Sequence, residues 1–309
     1  MSENICWVLT GPTASGKTSL SIKLAKKYDC EIVCMDSMQI YKRMDIGTAK
    51  PTVEEMEGIP HHMLDVAEPT ENFSVARYQE MSEECIADIH SRGKRALLVG
   101  GTGLYLRALR TPMAMGDVSA DEGIRAELEA LAATENGKQQ LHDMLAEVDP
   151  ETAARLHLND VRRAVRALEV FRQTGIPFSK QPQITANSRY QYRVATLTMD
   201  RALLYERIQK RVDIMVQQGL VDEVKGLLDS GVPADCQAMK AIGYKEIVPF
   251  LRGEVSWDET EYLLKLNTRH YAKRQLTWMR REEDVLWVEA LAPDAYDTLE
   301  QWFTQGEQL

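Results

Sequence analysis

Glycines, a lysine and a hydroxyl residue stand near the start of the chain in the spacing G-x-x-x-x-G-K-[ST]: Gly11, Pro12, Thr13, Ala14, Ser15, Gly16, Lys17 and Thr18. Residues of these types at this spacing hold phosphate. A glycine-rich turn at a helix start aims several backbone N–H groups at one anion, and the helix dipole favours negative charge there. Lys17 adds a full positive charge, and the Thr18 hydroxyl can reach a Mg2+ ion. The motif needs an apolar strand before it and a helix after it. The run Ile5–Thr10 and the helical spacing of residues 19–26 supply both. The expected ligand is a diphosphate or triphosphate ester.

A second set of chemical residues falls at strand ends. Residues 31–35 read as a strand that runs into Asp36, Ser37, Met38 and Gln39. Residues 96–99 read as a buried strand that runs into Gly100, Gly101, Thr102 and Gly103, with no carboxylate close behind. Most P-loop NTPases place a Mg2+-serving carboxylate there. The glycines predict close approach of a flat or bulky ligand to the backbone. Thr102 offers a hydroxyl at the sheet edge where ligands of open α/β folds sit. Asp36 could coordinate metal, take a proton from a nucleophile, or form a turn. Beside Lys17 and Mg2+ it is expected to stay ionised, since positive charge favours the carboxylate form. Arg125 begins a predicted helix, and Arg207 and Arg211 sit at i and i+4 of another; taken singly, each reads as solvated surface. His61 and His62 lack an H-E-x-x-H context and read as structural.

The elements that must position these residues alternate strand and helix over the first hundred residues, the habit of a parallel sheet. Thr52-x-x-Glu55 predicts a short capped helix, and Ser74 caps a longer one that Gly93 stops. From Met113 to about Asn187 no segment reads as a strand. Ser119-x-x-Glu122 is read as a capping box, Asp149-Pro150 starts a helix, and Asn159-Asp160 caps a helix over 161–173 that Gly175 and Pro177 end. Strand patterning resumes at 192–197. Helices follow at 201–218 and 221–228, with a long one from the capping box Ser256-x-x-Glu259 through Trp278; Val285–Val288 reads as a last strand. The predicted fold is α/β: a P-loop NTPase-like parallel sheet flanked by helices, residues 1–113 and 188–309, with an all-helical insertion over 114–187.

Composition bounds the compartment and the partners. Of 309 residues, 44% are hydrophobic and 27% charged, values of an ordinary globular protein. No apolar run approaches the ~20 residues of a membrane span, and residues 1–4 lack the basic start of a leader. The five cysteines, Cys6, Cys30, Cys34, Cys85 and Cys236, form no C-x-x-C pair. A reducing cytoplasm is the expected location, with Cys30 and Cys34 packing around the second strand. The net charge of −10 argues against nucleic acid, yet two basic islands break the acidic body. One holds Arg155, Arg162, Arg163, Arg166 and Arg172. The other holds Lys265, Arg269, Lys273, Arg274, Arg280 and Arg281. Phosphate contacts and plain solvated faces both fit them.

Several segments together resemble the tRNA dimethylallyltransferases, also called tRNA isopentenyltransferases. They are the P-loop, Asp36-Ser-Met-Gln-Ile-Tyr41, Asp45-Ile-Gly-Thr-Ala-Lys-Pro51 and Gly100-Gly-Thr-Gly-Leu-Tyr105. Further along come Asn159-Asp-Val-Arg-Arg-Ala-Val-Arg-Ala-Leu-Glu169, Ala241-Ile-Gly-Tyr244 and Lys273-Arg-Gln-Leu-Thr-Trp-Met-Arg280. The match keeps its order over nearly the whole chain. It implies that dimethylallyl diphosphate, rather than a nucleotide, occupies the P-loop, with Mg2+ at Thr18. Arg125 and Arg211 would close over the leaving pyrophosphate. Asp36 would be the general base at N6 of the adenosine 3′ of a tRNA anticodon, and Thr102 would steady the reacting groups.

The resemblance also implies four tRNA-contact segments. The first is Asp36, Ser37, Met38 and Gln39; the second is Arg162, Arg163, Ala164, Val165 and Arg166. The third is Lys240, Ala241, Ile242, Gly243, Tyr244 and Lys245. The fourth is Lys273, Arg274, Gln275 and Leu276, continuing through Thr277, Trp278, Met279 and Arg280. The partner would be the anticodon stem-loop, met by a monomeric protein with no membrane association. A small-molecule or nucleoside kinase would use the same P-loop for ATP, but the missing carboxylate after the second core strand counts against it. A free-adenylate isopentenyltransferase would have little use for the arginine-bearing insertion, and a non-catalytic RNA-binding protein would leave Asp36 and Thr102 without purpose.

Overall fold

The computed structural model describes residues 5–111, 120–181 and 188–305. The chain forms two compact units, residues 1–110 with 188–309, and residues 111–187. The first half of the larger unit runs β1 (Ile5–Thr10), α1 (Lys17–Tyr28), β2 (Cys30–Cys34), α2 (Val53–Met56), β3 (His61–His62), α3 (Val75–Ser91), β4 (Arg95–Val99) and α4 (Gly103–Arg110). The smaller unit holds α5 (Glu122–Ala132), α6 (Gly137–Val148), α7 (Pro150–Arg155) and α8 (Val161–Thr174). The larger unit resumes with β5 (Gln191–Thr198), α9 (Arg201–Gln217), α10 (Leu220–Asp229), α11 (Tyr244–Leu251), α12 (Trp257–Met279), β6 (Val285–Glu289) and α13 (Ala295–Thr304).

All six strands are parallel, in the order β3-β2-β4-β1-β5-β6. Parallel strands covered by helices on both faces are apolar throughout, which explains the unbroken runs in β1 and β4. Successive side chains point to opposite faces, so β1 feeds two cores. Cys6 and Val8 pack with Tyr78, Leu106, Val224, Ile247 and Leu264 from α3, α4, α10, α11 and α12. Trp7 and Leu9 pack on the other face with Leu24 of α1 and with Leu299 and Phe303 of α13. There Trp7 stacks on Phe303, ring centroids 5.1 Å apart. The sheet is a P-loop-type α/β fold, and its carboxyl edge carries Gly11 and Gly100 directly after β1 and β4, and Asp36 two residues past the end of β2.

Local signals account for most boundaries. Thr52 and Glu55 form a reciprocal capping box, and Ser74 accepts the Arg77 N–H at 3.1 Å. Ser256 accepts the Glu259 N–H at 3.2 Å, and Asp149 accepts that of Thr152 at 3.0 Å. Gly175 ends α8 with φ +70°. Ser119 lies outside the described residues; the cap of α5 is Asp121, whose Oδ1 accepts the Ile124 N–H at 3.0 Å. The two-residue β3 and the helices α4, α6, α11 and α13 carry weak sequence signals. Helix α6 opens on Gly137, and α11 holds Pro249 within it.

The smaller unit has its own core of Leu128, Leu141, Leu145, Val165 and Leu168, and no strand among its described residues. None of the five cysteines is in a disulfide among the described residues, and Cys30 and Cys34 are buried within β2. No helix among the described residues is long and apolar enough to cross a membrane.

Candidate active site

The P-loop is held from outside as well as by its own turns. Gly11 has φ +141°, and a Cβ there would lie 2.9 Å from the Leu197 carbonyl oxygen, so β5 leaves no room for a side chain. Ala14, a non-glycine residue, sits at φ +63°. Its carbonyl accepts from Arg207 Nε of α9 at 2.8 Å. The Thr13 N–H donates to Gln275 Oε1 of α12 at 2.9 Å, and Gln275 Nε2 donates to the Gly101 carbonyl at 3.3 Å. One buried amide therefore ties the loop to the end of β4.

Inside this frame Lys17 Nζ donates to the carbonyls of Gly11 at 3.0 Å and Pro12 at 2.7 Å. Burial, together with the nearby Arg211 guanidinium, lowers its pKa to about 8, partly offset by Asp36. The Ser15 hydroxyl is buried and has no hydrogen-bond partner among the described residues. An oxyanion in the loop would give it one. Arg211, one helical turn beyond Arg207, lines the same cavity, and burial lowers its pKa in turn. Lysine and arginine whose charge is poorly satisfied at a helix N-terminus make an anion site.

The ends of β2 and β4 are laced together beside it. The Met35 N–H donates to the Val99 carbonyl at 2.8 Å, and the Thr102 N–H to the Met35 carbonyl at 3.2 Å. Thr102 Oγ1 accepts the Ser37 N–H at 3.0 Å. Asp36 Oδ1 accepts the N–H of Met38 at 2.9 Å and that of Gln39 at 3.4 Å. Burial raises the Asp36 pKa; the two N–H groups and Lys17 offset this only in part. Positive charge favours the carboxylate as expected, but withdrawal from water is the larger effect.

The glycines after β4 also have another cause than ligand approach. A Cβ at Gly100 would collide with the Met35 carbonyl, one at Gly101 with the Gln275 amide, and one at Gly103 with the Trp278 ring. These glycines admit the protein's own backbone and α12.

Lys17, Thr18, Asp36 and Arg211 share one cavity of about 480 Å³, whose lining also includes Val212, Met215, Ile242 and Leu264. Charged and apolar side chains lining one cavity suit an amphiphilic phosphate ester. Met38 and Gln39 line it too, as do Lys240, Ala241, Ile242, Gly243 and Lys245, and from α12 Arg274 and Gln275. Within these segments Tyr244, Gln275 and Met279 are buried, so their side chains brace the walls, while Lys240, Lys245, Lys273, Arg274, Thr277 and Arg280 are exposed. Leu276 and Trp278 are half-buried.

Arg125 belongs to the smaller unit, where its Nε bonds Oε1 of the fully buried Glu169 at 2.8 Å. Glu169 also accepts from Arg166 Nη1 at 2.7 Å and from the Asp121 N–H at 2.8 Å. Ala164 and Val165 are in that unit's core, whereas Arg162 and Arg163 are exposed, Arg163 paired with Asp160 at 2.7 Å.

Two contributors were hidden in the sequence. Arg207 showed only as a helical neighbour of Arg211, and Gln275 only as part of a basic motif. For Mg2+, no cluster of three or more His, Cys, Asp or Glu is placed to hold a metal among the described residues. The exposed Thr18 hydroxyl on the cavity wall fits an ion that keeps its waters and is held chiefly by substrate phosphate.

Comparison with known proteins gives a consistent picture. The family model described as IPP transferase matches residues 39–282. The chain is 49% identical over 292 residues to a tRNA dimethylallyltransferase of Carboxydothermus hydrogenoformans, covering 94% of this chain and 93% of the relative. It is 50% identical over 297 residues to that of Geobacillus thermodenitrificans, covering 96% and 93%. Among solved structures it resembles a tRNA isopentenylpyrophosphate transferase of Bacillus halodurans, with TM-score 0.72, 45% identity and 98% and 95% of the two chains covered. It also resembles a eukaryotic dimethylallyltransferase caught acting on tRNA, with TM-score 0.78, 30% identity and 96% and 76% covered.

Proposed function

This chain belongs to the IPP transferase family of tRNA dimethylallyltransferases, and from that premise we propose how its residues divide the work. The reaction is transfer of the dimethylallyl group from dimethylallyl diphosphate to N6 of the adenosine 3′ of a tRNA anticodon. The observation that carries this reading is that a P-loop, a half-buried carboxylate and apolar side chains line one cavity.

The diphosphate lies in the P-loop, against Lys17, the Ser15 hydroxyl and the N–H groups that open α1. The five-carbon chain lies against the apolar side chains. N6 attacks the allylic carbon, the carbon–oxygen bond breaks, and pyrophosphate leaves with the bonding pair. Lys17 and Arg211 neutralise the charge that develops on it. Arg125, whose Nε and Nη2 are bonded to Glu169, is the further pyrophosphate partner that the family resemblance implies. A Mg2+ at Thr18 and the diphosphate would supply further neutralisation. N6 becomes acidic as it attacks, and Asp36 takes its proton. A carboxyl group whose pKa is raised by burial is a stronger base than an exposed one. Thr102 holds the Ser37 amide and so the turn that carries Asp36.

The adenine cannot be reached inside a stacked loop and is flipped into the cavity. The exposed Arg162 and Arg163 of the smaller unit, with Lys240, Lys245 and the basic residues of α12, grip the anticodon arm by its phosphates. The protein works as a monomer in the cytoplasm.

The test is incubation with Mg2+, dimethylallyl diphosphate and unmodified tRNA, followed by mass analysis of the nucleosides. Prenylated adenosine is expected next to the anticodon. Its absence, or equal prenylation of free AMP, would overturn the reading.

A further inference from the structure

Glu223, in the first turn of α10, belongs to none of the site segments named above, yet it gathers four donors. Its Oε2 accepts the backbone N–H of Asp45 at 2.9 Å and of Ile46 at 2.8 Å. Its Oε1 accepts the N–H of Gly47 at 3.1 Å and the Tyr244 hydroxyl at 2.5 Å. Three successive amides converging on one anion form a nest of the kind that usually receives phosphate. Here the anion is the chain's own carboxylate. The Tyr244 ring lies so close over Gly47 that a Cβ there would come within 2.5 Å of it. Burial and Glu223 both raise the Tyr244 pKa, so its hydroxyl remains a donor.

The loop held in this way reaches the reacting centre through one side chain. Gln39 Nε2 donates to the carbonyls of Thr48 and Ala49, both at 3.0 Å. The Gln39 N–H in turn donates to Asp36 Oδ1. Gly47, Thr48 and Ala49 line one part of the cavity, and Ala241, Ile242 and Gly243, just before Tyr244, line another.

We propose that Glu223 is a positioning residue for the transfer reaction. As an internal anion in the amide nest of residues 45–47, it latches two cavity walls together and fixes Gln39, and through it the carboxylate of Asp36. The inference rests on the prenyl-transfer reading of this cavity.

Glutamine at this position is a sharp probe, because its NH2 would face at least one N–H donor however the amide is turned. In Glu223→Gln, kcat for tRNA prenylation is expected to fall about ten- to hundredfold, the scale of lost charge-assisted hydrogen bonds. The KM for dimethylallyl diphosphate should stay within about twofold, since the P-loop has separate braces. Tyr244→Phe removes one donor of four and should cost less. Hydrogen exchange at the amides of residues 45–47 should quicken in Glu223→Gln while the global Tm holds.

Wild-type kcat in a folded Glu223→Gln overturns the latch. So does a loss of activity that follows the unfolded fraction and disappears on cooling, or unchanged exchange at residues 45–47. A wild-type chain inactive on tRNA would instead overturn the prenyl-transfer reading and this inference with it.

Discussion

Strand β2 carries a carboxylate near each end, the buried Glu31 at the amino side and the half-buried Asp36 just past the carboxyl side, and the two are met in opposite ways. Glu31 is 2% exposed and bonded by the Arg92 guanidinium through both oxygens, by His62 at 2.7 Å and by Lys94 at 3.3 Å. These partners hold its pKa down at about 2. Asp36 is met by two backbone N–H groups and a more remote lysine, and its pKa is pushed up. A carboxylate closed off by cations braces the edge of a sheet. One left with weak donors beside a cavity remains free to bind a proton.

Four experiments can break or sharpen this contrast. Asp36→Asn should cut single-turnover prenylation by about 10²–10⁴-fold, the usual contribution of a general base. It should leave tRNA affinity within severalfold and Tm unchanged or higher; equal losses of binding and turnover would make Asp36 a positioning group. Glu31→Gln should do the reverse, lowering the unfolding free energy in urea by about 1–3 kcal/mol while kcat holds. Its pH dependence has a fixed sign. Because the Glu31 pKa is depressed from 4.5 to about 2 on folding, its stabilisation is full above 4.5 and is lost as pH falls from there toward 2. Acid denaturation followed by circular dichroism should therefore lose that transition in Glu31→Gln.

The third effect is smaller. Lys17, with its pKa lowered to about 8, must be protonated to meet the diphosphate. The kcat/KM for dimethylallyl diphosphate should be level just below pH 8 and fall about tenfold per unit well above it. Glu31→Gln should leave this limb in place; a limb unmoved from near 10.5 would show that Lys17 is ordinary. Smallest of all, Ser15→Ala should raise the KM for dimethylallyl diphosphate by a few-fold, about 1 kcal/mol, with no loss of Tm, because the lost hydroxyl had no internal partner to abandon.

What the sequence revealed was local. The P-loop needs its glycines, lysine and threonine within eight positions, and Asp36 follows an apolar strand directly, so both could be read from neighbours alone. The caps at Thr52, Ser74, Asp149 and Ser256 were legible for the same reason. Long-range demands were not. Gly100, Gly101 and Gly103 looked like room for a ligand, since nothing nearby in sequence discloses Met35, Gln275 or Trp278 pressing on them. The arginines of residues 155–172 looked like one basic surface until Glu169 took Arg166 and Arg125 for the helical core. The positive charge beside Asp36 was legible, but the burial that raises its pKa was not, because a sequence lists charges without burial. Strand β3 is two residues long and leaves almost no periodicity to detect.

The bond from Thr13 to Gln275 spans 262 residues, and that span has a temporal meaning. On a ribosome adding 5–20 residues per second, Gln275 is made roughly 13–50 s after Thr13. Throughout that interval the nascent chain carries a complete phosphate-binding motif that lacks its Gln275 brace. The cradle therefore gains this tie only when translation is nearly done.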